Sequence, residues 1–430
     1  MDKLMNSKFM RGLQAVGQKL GENKAINSIQ SALMGSMGII MVGAIFQICA
    51  VVPTNFGWFT TDSQIYTVLY GVYNLSMNML SVWFVVQLGY NYAKALGLKP
   101  MTGAINATLC FLLTGTSGWM SSSMASLTTN WLGGTGLFVA ILVGLVTVRI
   151  YNFCVTKNIV IKMPDVVPPF LADGFSSIIP LFFAVILWLA VSVIALNLTG
   201  VDFSSLFVGL ISTPLSYLTG FWGMLVLGLL AGLLWTFGIH GSMMVYVAIM
   251  PSMLALVQQN AAAYQTGGIA ALTYQPVLLF GLMACAGGTG NTVSLAFFGT
   301  RAKSEQLKAV GKASLIPGIF NINEPITFGY PIMYNPVMAI PYLINIVVPM
   351  ILGHIAYSMK WIIPGYINIG SVMPIGVGEF LSTLNIGNSI FAIAMVFVTA
   401  AIYYPFFKAY DKQLYAKEQA EKAEEATAAK

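Results

Sequence analysis

The sequence predicts an all-α integral membrane protein with about ten transmembrane helices, two re-entrant hairpins and both termini in the cytoplasm. Composition, long apolar runs and the distribution of basic residues lead to this fold class. Of the 430 residues, 57% are hydrophobic and only 8% are charged, and the mean hydropathy is +0.79. Because soluble domains carry about a quarter charged residues, most of the surface of this chain is expected to meet lipid.

The transmembrane helices are predicted from apolar runs, since a helix needs about 20 apolar residues to cross the hydrocarbon core. Residues 1–27, ahead of the first run, are basic and have apolar residues at helical spacing. They are predicted to lie on the membrane face, with a solvated cytoplasmic tail as the alternative, and they are too charged for a signal peptide. The predicted spans are Ser28–Val52, Tyr66–Tyr92, Thr102–Gly118, Trp131–Phe153, Gly174–Leu198, Gly220–Phe237, Met243–Val257, Tyr274–Phe298, Pro336–Tyr357 and Ile386–Phe407.

The distribution of Lys and Arg sets the orientation. Basic residues precede the first span, lie between the second and third, and follow the fourth, eighth and tenth. The connections after the first, third and fifth spans contain none. The positive-inside rule therefore predicts that both termini are cytoplasmic, with Lys360 beside Trp361 as a single exception.

Two segments are too apolar for aqueous loops and too rich in Pro or Gly for straight helices. They are Ser314–Asn335, which has three prolines, and Tyr366–Thr383. Irregular backbone at membrane depth is tolerated only where protein buries it or where it lines a wet cavity. Both are therefore predicted to be re-entrant hairpins along a substrate path.

The rarity of charge in the second half suggests a division of labour. No Asp, Glu, Lys or Arg occurs from Phe203 to Thr300, and between Lys312 and Lys408 only Glu324, Lys360 and Glu379 are charged. We therefore expect a scaffold and dimerisation domain over 28–200 and a substrate-binding domain over 201–408. Residues 409–430 are expected to form a frayed cytoplasmic helix.

His240 and Glu324 are predicted to mark a buried polar site, because ionisable residues at membrane depth are costly and usually functional. His240 lies between Gly238 and Gly241, and Glu324 precedes Pro325 on the first hairpin. The alternatives are structural: a histidine that bonds the backbone at a helix break, and a carboxylate that holds the hairpin turn.

A neutral cavity with one imidazole, one carboxylate, amides and aromatic rings suits a sugar, whose hydroxyls donate and accept and whose ring faces are apolar. A metal centre would need more His, Cys or carboxylate ligands, and a nucleotide cradle would need a lysine in its glycine loop. We therefore expect neither a metal nor a cofactor. The remaining candidates for substrate contact are Trp235, Gly238, Thr289, Asn291, Asn321, Asn323 and Glu379.

Two motifs carry a family resemblance. Gly-Ile-His-Gly at 238–241 and Asn-Ile-Asn-Glu-Pro-Ile-Thr-Phe-Gly-Tyr-Pro-Ile-Met-Tyr-Asn-Pro at 321–336 resemble the enzyme IIC sugar permeases of bacterial phosphotransferase systems. The resemblance is to the lactose/cellobiose/diacetylchitobiose family, and it extends over nearly the whole chain.

The resemblance implies a homodimer in the bacterial cytoplasmic membrane, in contact with lipid, that takes up a β-disaccharide, with cellobiose first. It implies that His240 and Glu324 bind the hydroxyl that receives phosphate. The phosphoryl donor would be a cysteine on a separate IIB component, charged in turn by IIA, and no residue of this chain would be phosphorylated. The basic loop from Arg301 to Lys312 is a candidate IIB docking surface or an ordinary positive-inside loop. No nucleic-acid partner is expected.

The rival hypothesis is an ion-coupled secondary transporter in which His240 and Glu324 relay protons. It is disfavoured because such relays usually involve more intramembrane carboxylates or a paired cation.

Overall fold

The computed structural model describes residues 22–116, 129–164, 167–237, 240–330, 332–333, 335–369 and 373–428, and within these ranges all regular structure is helical. The predicted all-α fold class is therefore confirmed. The chain forms two compact units. The first contains Lys19–Tyr217 and Val247–Ala262, and the second contains Leu218–Tyr246 and Ala263–Lys430.

The first unit consists of long, mostly uninterrupted helices that pack closely. Helices α4 and α5 approach where a Cβ on Gly89 would lie only 2.6 Å from the carbonyl oxygen of Gly103, the close contact that small residues allow between membrane helices. Gln258 accepts from the Gly134 N–H at 2.6 Å and donates to the Asn78 side chain at 2.7 Å. The helices are α1 Lys24–Gly35, α2 Met37–Asn55, α3 Gln64–Met77, α4 Leu80–Ala95, α5 Pro100–Gly115, α6 Leu137–Thr156, α7 Pro169–Thr199 and α8 Phe203–Thr219.

The second unit mixes long helices with short ones. Helix α9 packs on α15, α15 packs on α17, and α12 packs on both α13 and α17. Helix α10 begins in this unit, and its central residues belong to the first. The helices are α9 Phe221–Thr236, α10 Gly241–Gly267, α11 Leu279–Leu282, α12 Val293–Gly299, α13 Glu305–Ile319, α14 Glu324–Gly329, α15 Pro336–Ser358, α16 Val377–Thr383 and α17 Ile386–Ala428.

Seven helical stretches among the described residues are long and apolar enough to cross a membrane. They correspond to the first, second, fourth, fifth, seventh, ninth and tenth predicted spans. The sixth is a shorter apolar helix, Phe221–Thr236, and the third is α5, with 16 residues. The seven stretches are Lys24–Thr54, Gln64–Ala95, Gly134–Thr156, Ala172–Thr199, Gly241–Ala271, Val337–Ser358 and Ile386–Ala423.

The eighth predicted span, Tyr274–Phe298, is wrong as a continuous helix. Helix α11 ends at Leu282 and α12 begins at Val293. Between them Gly287, Gly288 and Gly290 adopt φ of +102°, +75° and +80°, which an α-helix does not accommodate and which glycine adopts without steric cost. Conversely, α8 forms where the prediction placed a connection.

Both segments expected to be hairpins contain breaks. In the first, α13 continues through Pro317 to Ile319, and Asn321 at φ +62° turns the chain before α14 begins at Glu324. In the second, α16 begins only at Val377. The two segments meet where the Ile375 N–H donates to the Ile319 carbonyl at 2.9 Å. Their entry into the membrane stays a prediction.

The C-terminal segment differs from the expected frayed helix. Helix α17 runs for 43 residues without interruption to Ala428. Asp411 and Glu418, both on this helix, accept hydrogen bonds from the start of α13. The segment is therefore packed against the start of α13 within the second unit.

Candidate functional site

His240 stands at the start of α10 as its N-cap. Its Nδ1 accepts from the Met243 N–H at 3.3 Å, so one of the N–H groups that a helix start leaves unpaired is satisfied. Since Nδ1 uses its lone pair in this bond, geometry assigns the proton of a neutral ring to Nε2. The ring therefore offers a single donor away from the helix. Gly238 lies outside the described residues.

Glu324 is the first residue of α14, and its carboxylate faces His240. The His240 Nε2 and Glu324 Oε1 atoms are 3.5 Å apart, and each side chain is 44% exposed. The expectation that this pair would be buried is therefore wrong. A half-exposed donor and a half-exposed acceptor side by side are accessible to a hydroxyl group, because a hydroxyl can accept from one and donate to the other.

Trp235, in the last turn of α9, orients His240. Its ring centroid lies 4.3 Å from that of His240, and its Nε1 donates to the Ser242 Oγ at 3.0 Å. Only 1% of Trp235 is exposed, so its face is covered by protein. The aromatic ring beside it, Phe328, lies 6.1 Å away in an edge-on arrangement and is 56% exposed.

Ser242, Thr289 and Asn323 connect the start of α10 to the broken segments. The Ser242 and Thr289 hydroxyls are 2.6 Å apart, and the Asn323 amide donates to the Thr289 carbonyl at 2.7 Å. Thr289 and Asn323 are buried. The hydrogen bond between them therefore holds Asn323, the residue before Glu324, against the glycine-rich turn.

Asn291 and Asn321 bond the irregular backbone. Asn291, which is fully buried, accepts from the Ala286 N–H at 2.7 Å and donates to the Leu282 and Asn345 carbonyls. Asn321 accepts from the Gly287 N–H at 2.8 Å and donates to the Met373 carbonyl at 3.3 Å. A broken helix leaves backbone groups that need such partners. Both amides are therefore structural, and their prediction as sugar ligands has no support in these contacts.

Glu379 has a local partner. Its Oε2 accepts from the Gly376 N–H at 2.8 Å, and it occupies the first turn of α16. The carboxylate thus caps its own short helix, which is the structural alternative to sugar contact.

The site residues contact one another in a closed series. In order, they are Trp235, His240, Glu324, Asn323, Thr289 and Ser242. The structure therefore brings together most of the predicted site residues, and it places Asn291, Asn321 and Glu379 in supporting positions. Among the described residues, no group of three His, Cys, Asp or Glu side chains is placed to hold a metal ion.

Ser242 and Phe328 were missed in the sequence. Ser242 follows His240 by two residues, and Phe328 follows Glu324 by four, which places it one helical turn away on the same face. Proximity to the two rare residues was the available signal.

Comparison with known proteins gives consistent matches. The family described as Phosphotransferase system, EIIC matches residues 30–345. The chain is 32% identical to the PTS system cellobiose-specific EIIC component of Geobacillus stearothermophilus, over 96% of this chain and 97% of that one. It is 30% identical to the PTS system lactose-specific EIICB component of Lacticaseibacillus casei, over 97% of this chain and 73% of that one.

A solved structure has the same fold. The crystal structure of the transporter ChbC, the IIC component from the N,N'-diacetylchitobiose-specific phosphotransferase system, matches with a TM-score of 0.86 and 28% identity. The match covers 94% of this chain and 98% of that one.

Proposed function

Since this chain belongs to the EIIC family of the phosphotransferase system, we propose that it takes up a β-linked disaccharide, cellobiose first, and that His240 and Glu324 hold the hydroxyl that becomes phosphorylated. EIIC components are multi-pass membrane permeases that work with a sugar and a IIB component, and this chain is such a permease. The ion-coupled alternative receives no support from the comparisons.

Relatives named for particular sugars support the substrate class. The matching proteins quoted above are named for cellobiose, lactose and N,N'-diacetylchitobiose. Cellobiose is the first choice because the 32% identity to the cellobiose-specific component extends over nearly all of both chains.

The observation that carries the proposed role of the site is the 3.5 Å approach of His240 Nε2 and Glu324 Oε1 on half-exposed side chains. In the proposed arrangement, a sugar hydroxyl accepts from the imidazole N–H and donates to the carboxylate. As the hydroxyl oxygen bonds to phosphorus and the sulfur–phosphorus bond on the IIB cysteine breaks, the proton passes to Glu324. A carboxylate so placed acts as a general base, and exposed Phe328 can cover a sugar ring face.

The domain roles and remaining partners belong to the same proposal. Residues 28–200 form a scaffold through which two copies associate, and 201–408 bind the sugar. The compact unit of Lys19–Tyr217 with Val247–Ala262 supports this division, because it contains long helices and none of the site residues. The exposed apolar side chains of these helices support contact with lipid. A IIB component donates the phosphoryl group from its cysteine, and IIA supplies that phosphoryl group in turn.

The test is equilibrium binding of cellobiose, lactose and diacetylchitobiose to the purified full-length chain, followed by product analysis in vesicles. Saturable binding of cellobiose is expected, with weaker binding of the other two. Vesicles supplied with IIB, IIA, phosphoenolpyruvate and the proteins that pass its phosphoryl group to IIA should form cellobiose phosphate. Accumulation of free sugar driven by a proton gradient would overturn the proposal, and preferential binding of another disaccharide would replace cellobiose.

A further inference from the structure

The C-terminal half of α17 contacts the start of α13 through a buried carboxylate. Asp411, only 7% exposed, accepts from the Ser304 N–H at 2.9 Å and from the Lys303 N–H at 3.0 Å. These backbone donors are 107 and 108 residues away in the sequence. The contact therefore ties two distant parts of the chain together.

Glu418 extends this attachment two helical turns further along the same face of α17. Its Oε1 accepts from the Ser304 hydroxyl at 2.6 Å and from the Gln306 N–H at 3.2 Å, and its Oε2 accepts from the Glu305 N–H at 3.0 Å. The first N–H groups of a helix have no partner within the helix, and negative charge there is favourable. Asp411 and Glu418 thus satisfy the start of α13 from another helix.

The other end of α13 leads directly to the candidate site. The helix has 15 residues and spans about 22 Å. After it ends, Asn321 bonds the glycine-rich turn, Asn323 bonds Thr289, and Glu324 faces His240.

The middle of α13 is held against α12. A Cβ on Gly311 would lie 2.5 Å from the backbone of Gly299, and the Tyr330 hydroxyl donates to the Leu295 carbonyl at 3.0 Å and approaches the Leu307 carbonyl at 3.3 Å. Helices packed this closely shift as rigid bodies, because their interiors do not compress. A displacement at the start of α13 is therefore carried to its far end.

We infer that Asp411 and Glu418 are positioning residues for the sugar site: through α13 they set where Glu324 stands relative to His240. This inference rests on the proposed function. Once released from α17, α13 can pivot about its contact with α12, and a hydroxyl held between two groups is sensitive to changes of a fraction of an ångström. The C-terminal segment of α17 therefore contributes to sugar affinity without touching the sugar.

The first experiment measures the affinity of the purified full-length chain for cellobiose, together with its thermal unfolding temperature. Glu418→Ala and Asp411→Asn are expected to weaken binding by about threefold to about 30-fold, the range of indirect coupling, while the folded protein stays monodisperse. Glu421→Ala is the matched control, because Glu421 is on the same segment and its ion pair is with Lys417, 3.6 Å away on the same helix. Unchanged affinity in both Glu418→Ala and Asp411→Asn would overturn the inference.

A second variant separates positioning by α17 from simple capping of α13. Ser304→Asp combined with Asp411→Asn and Glu418→Ala puts a carboxylate at the helix start without a carboxylate from α17. Affinity should stay low in this triple variant, and full recovery would show that any cap suffices, which would overturn the inference. Glu324→Gln distinguishes the two proposals. If that change weakens binding and Glu418→Ala does not, only the inference fails, whereas if wild type binds none of the three disaccharides, the proposed function fails.

Discussion

The interior of each compact unit is stabilised by a different kind of contact. In the first, helices run without long interruptions and approach through small residues, as at Gly89 and Gly103. In the second, the chain breaks between α11 and α12, between α13 and α14, and before α16, and side-chain amides bond the freed backbone groups. The difference shows where an apolar chain needs polar residues. They lie beside irregular backbone, whose free N–H and C=O groups need partners, and the candidate site is in the same region.

The largest effect should come from the pair that distinguishes the second unit. Glu324→Gln removes the base while keeping the size of the side chain, and we expect phosphorylation-coupled uptake to fall by about 100-fold or more. His240→Ala should have a comparable effect, because it removes both the donor and the cap of α10. The measurement is the rate of sugar phosphate formation in vesicles supplied with IIB, IIA, phosphoenolpyruvate and the proteins that pass its phosphoryl group to IIA.

Glu379→Gln is the control for this prediction. Its carboxylate caps α16 locally, so uptake should stay within a few-fold of wild type. A loss as large as that of Glu324→Gln would mean that the catalytic carboxylate has been misassigned.

Removing an Asn side chain that bonds irregular backbone should lower the free energy of unfolding more than removing an exposed Asn side chain from a regular helix. Asn291→Ala leaves three buried backbone groups without their partner, and we expect the free energy of unfolding to fall by about 2–4 kcal/mol. Asn197→Ala in α7, where an exposed amide donates to the Val193 carbonyl, should change it by less than about 0.5 kcal/mol. Thermal unfolding in detergent compares the two.

Asn291 adopts φ +54°, so backbone strain would add to the effect of alanine. Asn291→Gly accepts that conformation without strain. If Asn291→Gly unfolds like wild type, the amide bonds contribute little and the contrast between the units disappears.

The smallest effect concerns packing in the first unit. Gly89→Ala should lower the free energy of unfolding by about 1–3 kcal/mol, because the new methyl group would meet the backbone of α5. Gly71→Ala in α3 is the matched control, since nothing lies within 4 Å of its Cβ position. There the better helix propensity of alanine should raise stability by about 0.5–1 kcal/mol. Equal effects at both glycines would refute close packing of α4 on α5.

Much of the fold could be predicted from composition because lipid imposes long apolar helices. His240 and Glu324 stood out as rare ionisable residues, and the structure places them together. The eighth span failed because mean apolarity does not distinguish a straight helix from a broken one, although Gly287, Gly288 and Gly290 carried the signal.

Contacts between distant parts of the chain could not be predicted from the sequence. Asp411 and Glu418 lie in the segment predicted to be a frayed helix, and nothing in their spacing indicates that they contact the start of α13. The sequence predicts that Trp235 contacts the sugar, and only the packing around Trp235 shows that its ring is covered while that of Phe328 is exposed.

The hydrogen bond from the Met243 N–H to His240 Nδ1 determines which ring nitrogen is available to a ligand. An imidazole that relays a proton between two fixed partners receives it on one ring nitrogen and releases it from the other. Here Nδ1 accepts from the Met243 N–H at the start of α10, so the ring presents Nε2 to a ligand. In the proposed function, accumulation inside the cell follows from phosphorylation, because the phosphate ester that forms is a different molecule from the sugar that entered.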